Sequence, residues 1–108
     1  MEPELIISQR RGYPPYTCEV RLNDEAVTLI NSKEILFIKN HQGMRIRNPS
    51  FDSNKTYKIY QYLKSTNRRE TSLYTARFFI NLNKSEDVFG KYYLEKEGDD
   101  IFLVKNLN

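Results

Sequence analysis

The sequence is poor in the residue types from which metal and redox sites are built. It has one cysteine, Cys18, and one histidine, His41, so an internal disulfide cannot form and a zinc site of cysteine and histidine ligands cannot be assembled. Cys18 falls on the apolar phase of a predicted strand, which favours a buried, reduced thiol over a reactive one. The acidic run at residues 95–100 lacks the spacing of a calcium-binding loop. We therefore expect neither a metal nor a cofactor.

Glycine and long apolar runs are also scarce. The four glycines are isolated, at positions 12, 43, 90 and 98, which excludes a glycine-rich phosphate-binding loop. No apolar run approaches the roughly 20 residues that cross a bilayer, and the order of charges at the N-terminus does not fit a secretory signal. We accordingly expect a soluble, cytoplasmic protein that does not interact with membranes.

The sequence shows no nucleophile with a base and an orienting group beside it. His41 lies in a predicted polar turn, where histidines are usually solvated. We predict that the protein is not an enzyme. The alternative is a ribonuclease-like activity in which His41 acts as the acid or base near Arg45, Arg47 or tyrosine side chains.

What the sequence does contain is short segments in which apolar and polar residues alternate. The clearest is residues 74–82, which direct Ala76, Phe78 and Ile80 to one face and Arg77 to the other. This period of two is typical of a strand with one buried face.

A second alternating segment, residues 57–63, places Tyr60 and Tyr62 on the side opposite to its apolar residues. We predict that it pairs with residues 74–82 in a long hairpin, joined by the polar residues 64–72. The rest of the chain is organised around this hairpin.

The remaining elements follow similar alternation between turn signals. Strands are predicted at residues 5–8 (an edge strand), 16–22, 35–38, 44–47, 91–96 and 101–105, and one helical turn at residues 85–90.

Residues 25–30 fit two structures. Their apolar side chains have helical spacing, and Asn23 or Asp24 would cap a helix that begins there. Val27 and Thr28 are β-branched, however, and suit a strand. We predict a strand.

This series of elements predicts an all-β fold with room for one short helix, in a single β-rich domain over residues 1–108. Sequential short hairpins favour a small antiparallel barrel of about seven to eight strands, OB-like or SH3-like, because closure removes exposed strand edges. The alternative is a two-sheet sandwich.

Positive charge is concentrated in the middle of the chain. Residues 39–77 carry nine basic and two acidic residues, a net charge of +7, whereas the flanking residues 1–38 and 78–108 each carry four basic and six acidic residues, a net charge of −2. Such asymmetry indicates a polyanionic or acidic partner more strongly than the net charge of +3 does.

These features predict a non-enzymatic nucleic-acid-binding protein. Basic side chains neutralise phosphates and exposed aromatic rings stack on unpaired bases, so single-stranded DNA or RNA is the favoured ligand. The predicted binding residues are Arg45, Arg47, Lys58, Tyr60, Tyr62, Lys64, Arg68, Arg69 and Arg77.

The alternative function is that of a small protein–protein interaction module or inhibitor. Proteins of this kind include immunity factors and phage or plasmid accessory proteins, and here the basic face would dock on an acidic protein partner. A homodimer formed through an uncovered strand edge is a further expectation.

Overall fold

The alternating segments of the sequence form β-strands, and the computed structural model describes residues 2–10, 17–49, 56–61, 74–82 and 88–106. These residues form nine strands and one helix, namely β1 (Glu4–Gln9), β2 (Thr17–Asn23), α1 (Asp24–Ile30), β3 (Glu34–Asn40), β4 (Gly43–Arg47), β5 (Tyr57–Lys58), β6 (Tyr60–Gln61), β7 (Tyr74–Asn81), β8 (Gly90–Glu97) and β9 (Asp100–Lys105).

The strands form one antiparallel sheet in the order β5-β3-β4-β9-β8-β1-β2-β7-β6. The two ends of this order, β5 and β6, are consecutive in the chain and are separated by Ile59 alone. One short segment therefore covers β3 on one side and β7 on the other, and the sheet is nearly closed into a barrel. The predicted small antiparallel barrel is confirmed rather than the sandwich, with nine strands where about seven to eight were predicted.

The predicted inward phases of the strands are confirmed by burial. Cys18, on β2, is fully buried, and Phe78, at the centre of β7, is fully buried as well. The Phe78 ring centroid lies 6.2 Å from that of Phe37 and 6.4 Å from that of Tyr57. Phe78 thus packs β7 against β3 and β5, which reach it from the other side of the closure.

The prediction of a strand at residues 25–30 is wrong, because α1 occupies this segment. Asn23 caps the helix: its side-chain oxygen accepts hydrogen bonds from the amide of Ala26 at 2.9 Å and from the amide of Glu4 at 3.1 Å. Ala26 and Ile30 are buried against the barrel. Burial of two side chains at helical spacing outweighs the β-preference of their branched neighbours.

The edge position predicted for residues 5–8 is also wrong. β1 is an interior strand, with β2 on one side and β8 on the other. Leu5 and Ile7 are consequently buried at the inner face. A short apolar strand of this kind suits the interior of a sheet because both rows of its backbone groups are paired.

The central hairpin forms only in part. Tyr60 and Gln61 pair with Arg77 and Ala76, as predicted, but the preceding residues 57–58 pair with β3 instead. The amide of Ile59 donates to the carbonyl of Lys33 at 2.9 Å, and at this point the chain passes from one partner strand to the other.

The two other predicted hairpins are confirmed. β3 and β4 pair on either side of a turn, with Met44 and Ile46 buried, and β8 pairs with β9 over its full length. Half of the predicted helical turn at residues 85–90, namely residues 85–87, lies outside the described residues.

Candidate nucleic-acid interface

The structure describes five of the nine predicted binding residues, on four different strands. Tyr62, Lys64, Arg68 and Arg69 lie outside the described residues. The five that are described are Arg45 and Arg47 on β4, Lys58 on β5, Tyr60 on β6 and Arg77 on β7.

Arg45 and Arg47 point outward from the barrel, as predicted, but both are engaged by one carboxylate. Arg47 lies directly opposite Asp100 of β9 and donates to it from Nε at 2.6 Å and from Nη2 at 2.9 Å. Arg45 donates to the same carboxylate from Nη1 at a longer 3.5 Å. The hydrogen bond from Arg47 holds the pKa of Asp100 below its usual value, against the opposing effect of desolvation. This pair of cations therefore serves first to fasten β4 to β9.

Arg77 lies in a different setting, in a row of outward side chains that crosses three strands. Its neighbours in register are Tyr60 on β6 and Arg21 on β2. Tyr60 has 54% of its surface exposed, the larger of the two exposures found among large apolar side chains of the described residues. A protruding ring in one row with two arginines combines the groups that bind unpaired bases and phosphates.

The two arginines of this row are held by a buried carboxylate, Glu19, which has 9% of its surface exposed. Arg21 donates to it from Nε, and Arg77 donates from Nη1 to the other carboxylate oxygen at 3.3 Å. The exposed fractions of the Arg21 and Arg77 side chains are 50% and 38%. Glu19 thus positions both guanidinium groups while leaving a large part of each in contact with solvent.

The next outward residue of β7 is Phe79, and its ring lies beside a third arginine, Arg10. The guanidinium carbon of Arg10 lies 4.0 Å from the centroid of the Phe79 ring, and that of Arg77 lies 5.2 Å from it. Both distances fall within the range of a cation–π interaction. We refer to the six residues of this surface as the arginine face; they are Arg10, Glu19, Arg21, Tyr60, Arg77 and Phe79.

The predicted residues do not converge on a single surface among those described. Between β4, with Arg45 and Arg47, and β7, with Arg77, lie β3 and the segment 57–61 in one direction and four strands in the other. Lys58 pairs in register with Glu34 of β3. Among the described residues of the predicted set, Tyr60 and Arg77 are the one pair that strand pairing places opposite each other.

Sequence reasoning missed Arg10, Glu19 and Arg21. The alternation of residues 16–22 does place Glu19 and Arg21 on the outward phase. What the sequence does not reveal is that β2 pairs with β7, because the two strands are more than fifty residues apart in the chain. The outward phase of each strand could be predicted, but not the strand beside it.

The other candidate sites in the described part of the chain lack a pair of groups that could act as acid and base. His41 is exposed in the turn between β3 and β4. A shallow pocket lined by Val27, Ser32, Lys33, Ile59 and Gln61 offers a single titratable side chain, Lys33, and thus no acid–base pair.

Two other kinds of site are absent from the described residues. They contain no group of three or more histidine, cysteine or carboxylate side chains that could hold a metal ion. No helix among them is long and apolar enough to cross a membrane.

No family model, no curated protein and no solved structure matches this chain. The OB-like or SH3-like character of the barrel therefore stays a prediction. The arginine face has to be interpreted from its own geometry.

Proposed function

We propose that this protein binds single-stranded nucleic acid through the arginine face. The observation that carries the proposal is the row formed by Tyr60, Arg77 and Arg21. It places an exposed aromatic ring in register with Arg77 on the neighbouring strand, about 4.8 Å away, and Arg21 lies one strand further on.

The charge of the face supports a polyanionic ligand. The face contains three arginines and one carboxylate, Glu19, so it has a net charge of +2. Guanidinium groups that contact phosphates release condensed counterions, which favours binding at low salt. Because Arg21 and Arg77 are anchored by Glu19, they are partly ordered before a ligand arrives, and less conformational entropy is lost on binding.

The exposed aromatic side chain of Tyr60 favours a single-stranded nucleic acid over a duplex. In a duplex the faces of the bases are covered by their neighbours, whereas in a single strand they can stack on a protruding ring. Phe79 has a different role in this proposal, since Arg10 already covers its ring. It holds a cation in place, and Tyr60 offers the stacking surface.

The test is the binding of a fluorescently labelled single-stranded oligonucleotide of mixed sequence, followed by anisotropy at several salt concentrations. We expect the affinity of the unmodified protein to fall steeply as salt rises. Tyr60→Ala should weaken binding by about 5- to 150-fold, because a stacked base contributes about 1–3 kcal/mol.

Tyr60→Phe is the matched control, because it keeps the ring and removes only the hydroxyl group. It should bind within about twofold of the unmodified protein if stacking is the interaction that counts. Absence of binding at low salt, or equal binding by Tyr60→Ala and the unmodified protein, would overturn the proposal.

The second candidate, docking on an acidic protein, is favoured by the same positive charge. Tyrosine and arginine are also the residues that contribute most at protein interfaces. The two candidates differ in one property: a protein partner would remain bound after nuclease treatment, whereas a nucleic acid would be removed by it.

A further inference from the structure

A second outward surface of the barrel has a composition unlike that of the arginine face. It is formed by three adjacent strands, β4, β9 and β8. We call it the β9 face; its residues are Arg45 and Arg47 of β4, Asp100, Phe102 and Val104 of β9, and Glu95 and Glu97 of β8.

The centre of the β9 face is apolar. Val104 has 39% of its surface exposed, and Phe102 is half-buried. Neither belongs to the side chains that pack on the hydrophobic core, whereas their inward neighbours Ile101 and Leu103 do. The apolar surface of Phe102 and Val104 therefore faces away from the barrel, where contact with water is unfavourable.

The charged residues on the two flanks of this centre are of opposite sign and in register. Phe102 pairs with Arg45 on one side and with Glu95 on the other. In the next row, Asp100 pairs with Arg47 on one side and with Glu97 on the other. A basic strand and an acidic strand thus lie at equal distances from β9.

This pattern is complementary to itself. A twofold axis that runs along β9, in front of the sheet, exchanges its left and right flanks but keeps each row at the same height. Two copies facing each other about that axis would place Phe102 on Phe102, and β4 of each copy opposite β8 of the other. Every arginine would then meet a glutamate of its own row, which is the isologous arrangement of a twofold dimer.

Arg45 is the residue that stands to gain most from such a contact. Its Nη1 lies 3.5 Å from Asp100, at the limit of a hydrogen bond, and 26% of its side chain is exposed. Glu95, in the same row, is exposed. Asp100 is already engaged by two shorter hydrogen bonds from Arg47. A carboxylate of a second copy would therefore give the guanidinium group of Arg45 a stronger hydrogen-bond acceptor.

We propose that the β9 face is the interface of a homodimer in which the arginines of β4 in one copy contact the glutamates of β8 in the other. This interface differs from the strand-edge association predicted from the sequence, because it uses the outer face of three strands that are already paired with one another. Three strands at about 4.8 Å spacing make a narrow face, so the dimer is small in buried area and dissociates on dilution.

The test begins with the mass of the protein in solution, measured by light scattering and sedimentation over a wide range of concentrations. We expect the mass to rise from that of one chain, 12.9 kDa, to twice that value. The double variant Glu95→Lys/Glu97→Lys should raise the dissociation constant by about a hundredfold, because it places like charges opposite each other at both ends of the face.

Lys96→Glu is the matched control for this variant. It reverses one charge on the same strand, but the side chain follows the opposite phase of β8. It should dimerise like the unmodified protein. Val104→Lys, which places a charge on an exposed side chain outside the core, should also give a monomer with an unchanged circular dichroism spectrum.

The decisive measurement is the mass in solution of a mixture of two variants that are each monomeric. Arg45→Glu alone, like Glu95→Lys alone, should not dimerise, because each places like charges opposite each other in the Phe102 row. Mixed together, they should form a one-to-one heterodimer, because the acidic residue at position 45 of one copy meets the lysine at position 95 of the other, while Arg47 and Glu97 of both copies are unchanged.

A protein that stays monomeric at the highest concentration would overturn the proposal. So would a dimer that Glu95→Lys/Glu97→Lys, Val104→Lys and Arg45→Glu all leave unchanged, or a mixture of Arg45→Glu and Glu95→Lys that stays monomeric although each variant is folded. Capture of a different protein by the β9 face, with no self-association, would likewise count against it.

Discussion

Two carboxylates on the outer surface of this barrel, Glu19 and Asp100, are each held by two arginines, yet they have different surroundings. Asp100 is gripped by two hydrogen bonds from Arg47, at 2.6 and 2.9 Å, and lies beside apolar and acidic residues. Glu19 receives its hydrogen bonds from Arg21 and Arg77, on two different strands, beside Phe79 and a third arginine.

The comparison shows why a count of basic residues does not locate a binding surface. The sequence assigns Arg45, Arg47 and Arg77 to one positive face, because all three lie in the basic middle of the chain. In the structure, the first two share a carboxylate on a face whose outward charges sum to −1, and the third belongs to a face with a net charge of +2. The neighbouring strands, and not the charge of a segment, decide which cations can serve a ligand.

The largest expected effect concerns what the two faces share. Phe78 is fully buried under the arginine face and packs against Phe37 of β3 and Tyr57 of β5. Phe78→Ala should lower the free energy of unfolding by about 3–5 kcal/mol, through lost burial and the cavity left behind. The measurement is urea denaturation followed by circular dichroism.

Phe78→Leu is the milder control, with an expected loss of about 1 kcal/mol because most of the volume is kept. Oligonucleotide binding and dimerisation should disappear at the same urea concentration, since both faces lie on one closed barrel. If one activity outlasted the other in Phe78→Ala, the two faces would belong to units that unfold separately.

Closure of the barrel depends on pairing between distant strands, which is the part of this fold that the sequence does not predict. The alternation of residues 74–82 and 44–47 was sufficient to predict the inward phases of β7 and β4, because that phase depends on a period of two within one segment. The barrel followed from the number of short hairpins. What could not be predicted was which distant strands become neighbours, and Arg21 beside Arg77 depends on such a pairing.

The helix α1 shows a second limit. Val27 and Thr28 favour a strand by propensity, but the hydrogen bonds of Asn23 fix the start of a helix and at the same time hold the beginning of β1. The capping signal was present in the sequence. The helix prevails over a strand because of tertiary contacts: α1 packs against β1, β2 and β7, with Ala26 and Ile30 buried.

The second expected effect is a loss of stability at alkaline pH that arises from the strand of the arginine face. Burial, together with a hydrogen bond donated to Glu4 at 2.9 Å, raises the pKa of Tyr74 to about 12. The folded-state pKa lies above the usual value of about 10, so this contribution is complete below about pH 10 and is lost as pH rises towards about 12. Partial solvent exposure limits the loss to about 1–2 kcal/mol.

The measurement is the free energy of unfolding at a series of alkaline pH values, with the ionisation of tyrosine followed by absorbance. Tyr74→Phe should be less stable at neutral pH, since it lacks the hydrogen bond to Glu4, but should lose less stability between about pH 10 and 12. Tyr92→Phe is the comparison on β8, because burial also raises the pKa of Tyr92. A pH profile unchanged by Tyr74→Phe would mean that ionisation of this side chain does not couple to folding.

The smallest expected effect bears most directly on the comparison of the two carboxylates. Glu19→Gln keeps one of the two oxygens that accept hydrogen bonds from Arg21 and Arg77 and removes the negative charge, so the net charge of the arginine face rises from +2 to +3. Affinity for a single-stranded oligonucleotide at low salt should increase by about three- to tenfold, with a steeper salt dependence. Anisotropy at several salt concentrations measures both quantities.

Asp100→Asn makes the same chemical change at the β9 face and is the matched control. It should leave oligonucleotide affinity within about twofold, because Debye screening confines the effect of the lost charge to its own side of the barrel. Equal gains in both variants would mean that net charge alone governs binding, and that the surroundings of the two carboxylates do not matter. A gain confined to Glu19→Gln would show that Glu19 competes with phosphate for the arginines it positions.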